Sequence, residues 1–245
     1  MSNENIAIEV NNVSMMFNLS KDKILGLKEY VVKALKRQLF YEEFWALRNI
    51  NFTVSKGEVF GIMGLNGAGK STLLRIIAGV FKPTQGTVKV NGELSPLLEL
   101  GAGFDPEFSA RDNIYMNGAM YGHSPKHMET LYDEIIDFAE LRDFEDVALK
   151  NYSSGMTARL GFAVATSVQP DILIVDEVLG VGDYKFMEKC TIRLNNMISQ
   201  GITVLLVSHN IATIKEMCSR AILLEKGEAI CIGDVDEVCE AYGDG

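Results

Sequence analysis

The chain opens with an alternation of apolar and polar positions. Ile6-Ala7-Ile8-Glu9-Val10 has the period of a half-buried strand, and Val13 to Phe17 continues that strand or turns from it. From 20 to 44 the period changes. Leu27, Tyr30, Val31, Ala34 and Leu35 recur at helical spacing, with Lys33, Lys36 and Arg37 on the other side. Strand character returns from Trp45 to Val54 and, past a turn at Lys56-Gly57, in the run Glu58 to Met63. Leu73 to Ala78 predicts a helix, and Thr87 to Gly92 a strand entered through the turn Lys82-Pro83-Thr84-Gln85-Gly86. Gly101 to Arg111, with Pro106 and small residues, predicts a mobile loop, and 112 to 168 is mostly helical. Asp171-Ile172-Leu173-Ile174-Val175 and Thr203-Val204-Leu205-Leu206-Val207 are short apolar runs bounded by turns, the pattern of central parallel strands covered on both faces. Ala221 to Cys231 predicts a hairpin around Lys226-Gly227, and no internal repeat interrupts the chain.

Alternating strands and helices over 245 residues, 47% of them hydrophobic, predict one α/β domain spanning 1–245. A helical subdomain is expected to be inserted over about 101–168, and a basic amphipathic segment over 20–44. Between 21 and 40 there are six Lys/Arg and two Asp/Glu, so this piece carries 6 − 2 = +4 within a chain of formal charge −10. The acidic balance argues against a nucleic-acid-coating surface. Cys190, Cys218, Cys231 and Cys239 form neither a C-x-x-C pair nor a metal-binding spacing, and read as reduced, mostly buried thiols. The first residues lack the layout of a signal peptide. Runs such as Val204 to Val207 are far too short to cross a bilayer, so a role at a membrane needs a second polypeptide.

The chemistry centres on Gly64-Leu65-Asn66-Gly67-Ala68-Gly69-Lys70-Ser71-Thr72, which fits the phosphate-binding loop G-x-x-x-x-G-K-S/T. A strand precedes it and a helix follows. That context lets backbone N–H groups close around phosphates while the helix aims its positive end at them. Lys70 is placed to reach the outer phosphates and the Ser71 hydroxyl to ligate Mg²⁺. Asp176-Glu177 follows the apolar run at 172 to 175. An aspartate there can hold Mg²⁺, and the adjacent glutamate can polarise a water for in-line attack on the γ-phosphate. Ser153 or Ser154, in Tyr152-Ser153-Ser154-Gly155-Met156, is suited to cap the apolar helix Ala158 to Val168 and leave free N–H groups beside it.

These motifs resemble those of the ABC-transporter ATPases, and the resemblance covers nearly the whole chain. It implies a P-loop NTPase (RecA-like) core with an inserted α-helical subdomain and N-terminal antiparallel β strands. Tyr152 to Met156 resembles the signature loop L-S-G-G-Q, which in that family presses on the γ-phosphate of ATP held by the opposite subunit. Ser153 and Gly155 keep the family pattern; Tyr152, Ser154 and Met156 depart from it. Arg159 falls where the family often has arginine. Asp183 matches the D-loop aspartate and His209 the switch histidine that contacts the γ-phosphate. Phe17 falls where an aromatic stacks on adenine, with Trp45 as a competitor. The usual glutamine linking the nucleotide site to the helical subdomain is missing from Leu97 to Phe104, and Glu99 is its nearest counterpart.

Taken with the 20–44 insertion, the Glu99 to Phe104 stretch and the Glu177 to Asp183 run, the set looks like the ATPases of polysaccharide and teichoic acid exporters. The resemblance implies a homodimer closing around two MgATP and a separate permease that holds it at the cytoplasmic face of the membrane. Lipid-linked glycan cargo would pass near residues 27–40, and no nucleic acid is involved. Some exporters of this group add a C-terminal glycan-binding domain, for which a chain stopping at Gly245 leaves no room; it reads as a short or truncated member. Two other readings are an exporter of drugs, lipids or peptides and a soluble ABC ATPase acting on ribosomes or DNA. The soluble enzymes commonly carry paired ATPase domains or coiled-coil arms, neither of which is visible.

Overall fold

The computed structural model describes residues 5–20, 41–97, 100–101, 103–176 and 183–243. Ile6–Ser20 (β1), Tyr41–Ser55 (β2) and Gln85–Val90 (β4) form an antiparallel sheet in the order β2-β1-β4. Val59–Met63 (β3), Leu94–Pro96 (β5), Ile172–Val175 (β6), Thr203–Val207 (β7), Arg220–Glu225 (β8) and Glu228–Asp234 (β9) form a second sheet in the order β5-β6-β7-β3-β8-β9. Its strands are parallel except for the closing hairpin β8-β9.

The apolar run Val13 to Phe17 extends β1 rather than turning from it, and Phe17 to Ser20 pair with Phe44 back to Tyr41. Residues 41–44, expected as the end of the insertion, are therefore part of β2. The insertion's amphipathic stripe and its Lys33, Lys36 and Arg37 lie outside the described residues. So do Glu99, Glu177 and the stretch from Val178 to Gly182.

Burial explains the strand types. Every residue of β3, β6 and β7 is buried, because helices or the other sheet cover both faces, which is why these strands read as unbroken apolar runs. On one face, Ile8, Val10, Val13, Leu47, Ile50 and Val54 of the antiparallel sheet close over Phe60, Ile62, Ile174 and Leu205. Lys70–Ile77 (α1) is packed into this layer through Leu73, Leu74, Ile76 and Ile77. Phe52 and Phe60 stack at 5.1 Å, joining the two sheets. On the opposite face, Tyr184–Ser199 (α5) buries Phe186, Cys190, Leu194 and Met197 against Val59, Leu173, Val204 and Leu206. The helices Ile211–Met217 (α6) and Val235–Gly243 (α7) finish that side.

The expected helical subdomain is present as Ala110–Met120 (α2), Pro125–Ala139 (α3) and Ser154–Ser167 (α4) around their own core of Ile114, Met128, Tyr132, Ile135, Ile136 and Leu160. Local chemistry fixes where these helices begin. Ser109 and Asp112 form a reciprocal capping box, and Ser124 caps α3 ahead of Pro125 in its first turn. Of the four thiols, three are buried and all are free. Burial pushes Cys190 and Cys218 up to about 12, so they are neutral packing groups and not nucleophiles.

Candidate active site

Topology gathers the candidate residues at one edge of the parallel sheet. Residues 64–72 leave the carboxyl end of β3, Asp176 that of β6, and Ser208-His209 that of β7. The register aligns them: Ile62 lies opposite Val207, and Val175 opposite Leu206. In open α/β sheets this edge is where ligands bind.

The loop's shape depends on glycine at two places. Gly64 has φ 142°, and a side chain there would run into the Leu224 carbonyl. Gly69 has φ 106°, and a Cβ would come within 2.8 Å of the Ala46 carbonyl and of Leu47 Cδ2. The loop is held from behind by the β8-β9 turn, since the Gly227 N–H donates to the Ala68 carbonyl at 3.0 Å and the Arg48 N–H to the Gly227 carbonyl at 2.8 Å. Lys70 Nζ bends back over the loop and donates to the Gly64 carbonyl at 2.6 Å and the Leu65 carbonyl at 3.2 Å. Its ammonium is thus held over the concave face where phosphate oxygens would compete for it.

A groove of about 470 Å³ opens over this loop, lined by Phe44, Ala46, Leu65 to Thr72 and Asp176. Ser71 and Asp176 share it, one hydroxyl and one carboxylate on a phosphate cradle. That hard-oxygen donor set suits Mg²⁺, which takes one or two protein oxygens and completes its shell with phosphate and water. His209 is exposed between the buried Ser208 and Asn210; the Asn210 side chain caps α6.

The two aromatic candidates stand apart from the groove's lining. Phe17 packs edge-on against Phe81 at 5.9 Å, and Trp45 lines an adjoining recess with Glu43, Arg48 and Lys226. Phe44 is 49% exposed and lines both recess and groove. Sequence reasoning missed it. Only the alternation of sides along β2 could have singled it out, and that needs the register.

Ser153, not Ser154, is the cap of α4, accepting from the Met156 N–H at 3.2 Å. Two of the three departures from L-S-G-G-Q have a structural cause. Tyr152 and Met156 both pack against the core of the helical subdomain, and the Tyr152 hydroxyl donates to the Phe144 carbonyl at 2.7 Å. Burial pushes that phenol up to about 12, with Asp146 and Glu145 adding to it, so it stays a donor. Asp183 caps α5, accepting from the Phe186 N–H at 3.0 Å; that hydrogen bond, with Arg159 adding its charge, holds the carboxyl below the usual carboxylate range. Among the described residues, none of Ser153 to Met156 lines the phosphate groove.

Sheet order, phosphate loop and strand-end aspartate together define a P-loop ATPase with an inserted helical subdomain. The ABC transporter family model matches residues 47–180. The chain belongs to this family and is one of its ATP-binding, ATP-hydrolysing cassettes. It is 48% identical over 209 residues to ABC transporter protein AbcA of Aeromonas salmonicida, covering 85% of this chain and 68% of that one. It is 41% identical over 237 residues to the O-antigen export system ATP-binding protein RfbB of Klebsiella pneumoniae, covering 96% of each. A third relative, the teichoic acids export ATP-binding protein TagH of Listeria innocua, is 40% identical over 98% of this chain and 70% of its own. Among solved structures, an ATP-binding cassette determined as a post-hydrolysis dimer with ADP and phosphate matches with a TM-score of 0.74 at 23% identity, over 93% of this chain and 98% of that one. This last likeness concerns the fold alone.

Proposed function

We propose that the protein is the ATPase subunit of an exporter of lipid-linked polysaccharide or teichoic acid. The observation that carries the reading is an incomplete site. The groove offers phosphate-loop N–H groups, Lys70, Ser71 and Asp176 on one side, while Ser153 to Met156 present their helix N-terminus elsewhere. Two copies related by a two-fold axis supply what each lacks, so that each groove takes a nucleotide closed by the partner's Ser153 loop. Ser71 and Asp176 would hold Mg²⁺, which would supply positive charge to offset that of the phosphates. Lys70 binds the phosphate oxygens, Glu177 orients the attacking water, and His209 contacts the γ-phosphate. Asp183 and the Glu99 stretch retain the roles the resemblance implies. ATP binding closes the dimer, and hydrolysis with product release reopens it.

Adenine stacks on Phe44 in this reading, since Phe44 borders the phosphate groove while Phe17 is engaged with Phe81. Base stacking on an aromatic contributes about 1–3 kcal/mol. Phe44→Ala is therefore expected to raise the KM for ATP about tenfold, near 1.4 kcal/mol, with Phe17→Ala changing it much less. A larger effect of Phe17→Ala than of Phe44→Ala would return the stacking role to Phe17.

A recess in the fold supports coupling to a permease. Between α1, the Leu100-Gly101 turn and the helical subdomain lies a recess lined by Val80, Pro96, Phe104 and Tyr121, with Arg75 at its rim. The buried Asn117 amide in its wall has an Nδ2 without a hydrogen-bond partner. A short permease segment that brings a carbonyl and apolar side chains satisfies both. Among the described residues no helix is long and apolar enough to cross a membrane. In this reading the permease is what brings the cassette to the cytoplasmic face of the bilayer. The names of the relatives favour a glycan cargo over drugs or peptides.

The test is to purify the cassette with its permease, reconstitute both in liposomes and add candidate cargoes. Stimulation of ATP hydrolysis by a lipid-linked glycan, and not by peptides or amphiphilic drugs, is the expected result; the reverse preference overturns the cargo. In the same assay, reversing Lys33, Lys36 and Arg37 to glutamate should leave ATP binding unchanged while reducing cargo stimulation several-fold. Each cation near an anionic headgroup is worth about 1 kcal/mol, and the pyrophosphate of a lipid-linked glycan would be drawn to them. Normal stimulation in the triple variant removes the cargo role of this segment.

A further inference from the structure

Asparagine is followed by glycine at Asn66-Gly67, Asn91-Gly92 and Asn117-Gly118. This dipeptide is the one most open to attack of the backbone nitrogen on the side-chain amide, because glycine puts no side chain in the way. Packing closes two of these pairs. Asn91 donates its amide to the Ile6 carbonyl at 2.9 Å, and a Cβ on Gly92 would stand 2.8 Å from Asp171 Oδ2. A carboxylate that close opposes negative charge on the attacking nitrogen. Asn117 is buried inside α2, where helical hydrogen bonding fixes both residues and Met128 crowds Gly118. Asn66-Gly67 is different. Both residues are exposed, and nothing lies within 4 Å of the place that a Gly67 Cβ would take. Among the described residues, neither the Asn66 amide nor the Gly67 N–H has a hydrogen-bond partner.

The surroundings favour the attack. The loop is an anion cradle, with Lys70 Nζ bent over it and the N-terminus of α1 behind it. The deprotonated Gly67 nitrogen and the oxyanion formed as it attacks are both anions, so the groups that suit phosphate also stabilise them. We propose that Asn66-Gly67 is a self-modification site that bound nucleotide protects. The Gly67 nitrogen gives up its proton and bonds to Asn66 Cγ, the Cγ–Nδ2 bond breaks, and ammonia leaves a cyclic succinimide. Water then opens the ring. Cleavage between Cγ and the nitrogen gives aspartate. Cleavage between the backbone carbonyl and the nitrogen gives isoaspartate, whose main chain runs through Cβ and Cγ. Either product puts a carboxylate into the cradle, and isoaspartate also lengthens the loop by a methylene. Both weaken phosphate binding. A nucleotide in the cradle blocks the reaction, because its phosphates occupy the N–H groups and bring negative charge of their own. The protection rests on the nucleotide reading above, whereas the modification rests on the loop alone.

The test incubates the full chain at neutral and mildly alkaline pH, with and without magnesium and a fluorescent, non-hydrolysable ATP analogue. Peptide mass spectrometry follows conversion of amide to carboxyl at each asparagine, and labelling by an isoaspartyl methyltransferase reports the isoaspartate. A urea-denatured sample gives the rate of each dipeptide free of the fold. Asn91 and Asn117 should convert several-fold slower folded than denatured, whereas Asn66 should convert at least as fast. The Asn66 rate should rise with pH, since the attacking nitrogen must lose its proton, and fall several-fold with the analogue bound. Loss of analogue binding should track the converted fraction. Asn66→Asp, which stands for one product, should bind the analogue several-fold more weakly. Asn66→Gln should resist conversion, because its longer side chain closes a less favourable ring. Folding that protects Asn66 as it protects the other two, or undiminished binding in the converted chain, overturns the proposal. A conversion rate indifferent to an analogue shown to be bound overturns the protection alone. Failure of the unconverted chain to bind any nucleotide overturns the nucleotide reading and leaves the modification standing.

Discussion

Glu177→Gln should bind MgATP normally and lose hydrolysis by a factor on the order of 10²–10⁴, the usual contribution of a positioned general base. Glu177 follows Asp176, which lines the phosphate groove at the carboxyl end of β6. Glutamine keeps the size of the side chain and can still hydrogen bond, but it cannot take a proton from the attacking water. Binding energy from the phosphate loop is untouched, so the cycle stops after closure and the ATP-bound dimer accumulates. Size-exclusion chromatography with ATP should show that dimer for the variant and a mixture for the wild type. Wild-type turnover in Glu177→Gln would remove this residue from catalysis and pass the water-orienting role to another group.

Ser153→Arg should abolish ATP turnover while leaving nucleotide binding to each subunit intact. Ser153 accepts the Met156 N–H at 3.2 Å and so fixes the first turn of α4. Losing the cap itself costs about 1 kcal/mol of helix stability, too little to unfold a domain with its own buried core. The large effect is expected from the proposed two-copy arrangement, in which an arginine here would occupy the space through which the partner's γ-phosphate is reached. Turnover per subunit should rise with concentration in the wild type and stay at background at every concentration in the variant. Loss of analogue binding would instead mean that the substitution damaged the subunit. Unchanged turnover would mean that the Ser153 loop serves no partner.

Much of the site could be read from the chain because its chemistry is written in contiguous residues. A phosphate cradle is made of backbone N–H groups, and glycines at 64, 67 and 69 with Lys70 and Ser71 are sufficient to state it. The buried strands β3, β6 and β7 were legible for the same local reason, since burial on both faces leaves no polar position to break the run. Asp176 was legible because it ends one of those runs. Phe44 was not. Phe17 and Phe44 pair across β1 and β2, and which of them borders the groove depends on strand register and on the close approach of Ala46 to Gly69. The helices α5, α6 and α7 gave weaker signals than the strands they follow, as their apolar stripes are short and interleaved with charge. The three-residue β5 is held by pairing with β6 and has no periodicity of its own to show.

The sequence by itself determined the class of chemistry: an ATPase phosphate loop between strand and helix, an aspartate at the end of a buried strand, and a serine-capped helix. Each of these follows from the backbone geometry and charge of a few neighbouring residues. Only the tertiary structure decided that Tyr152 and Met156 serve the helical core, that Phe44 borders the groove, and that Arg159 bridges Glu140 and Asp183. Those depend on side chains that chain order separates and packing brings together. Local propensity carries no information about such meetings, because what selects them is the joint burial of the apolar faces on which they ride.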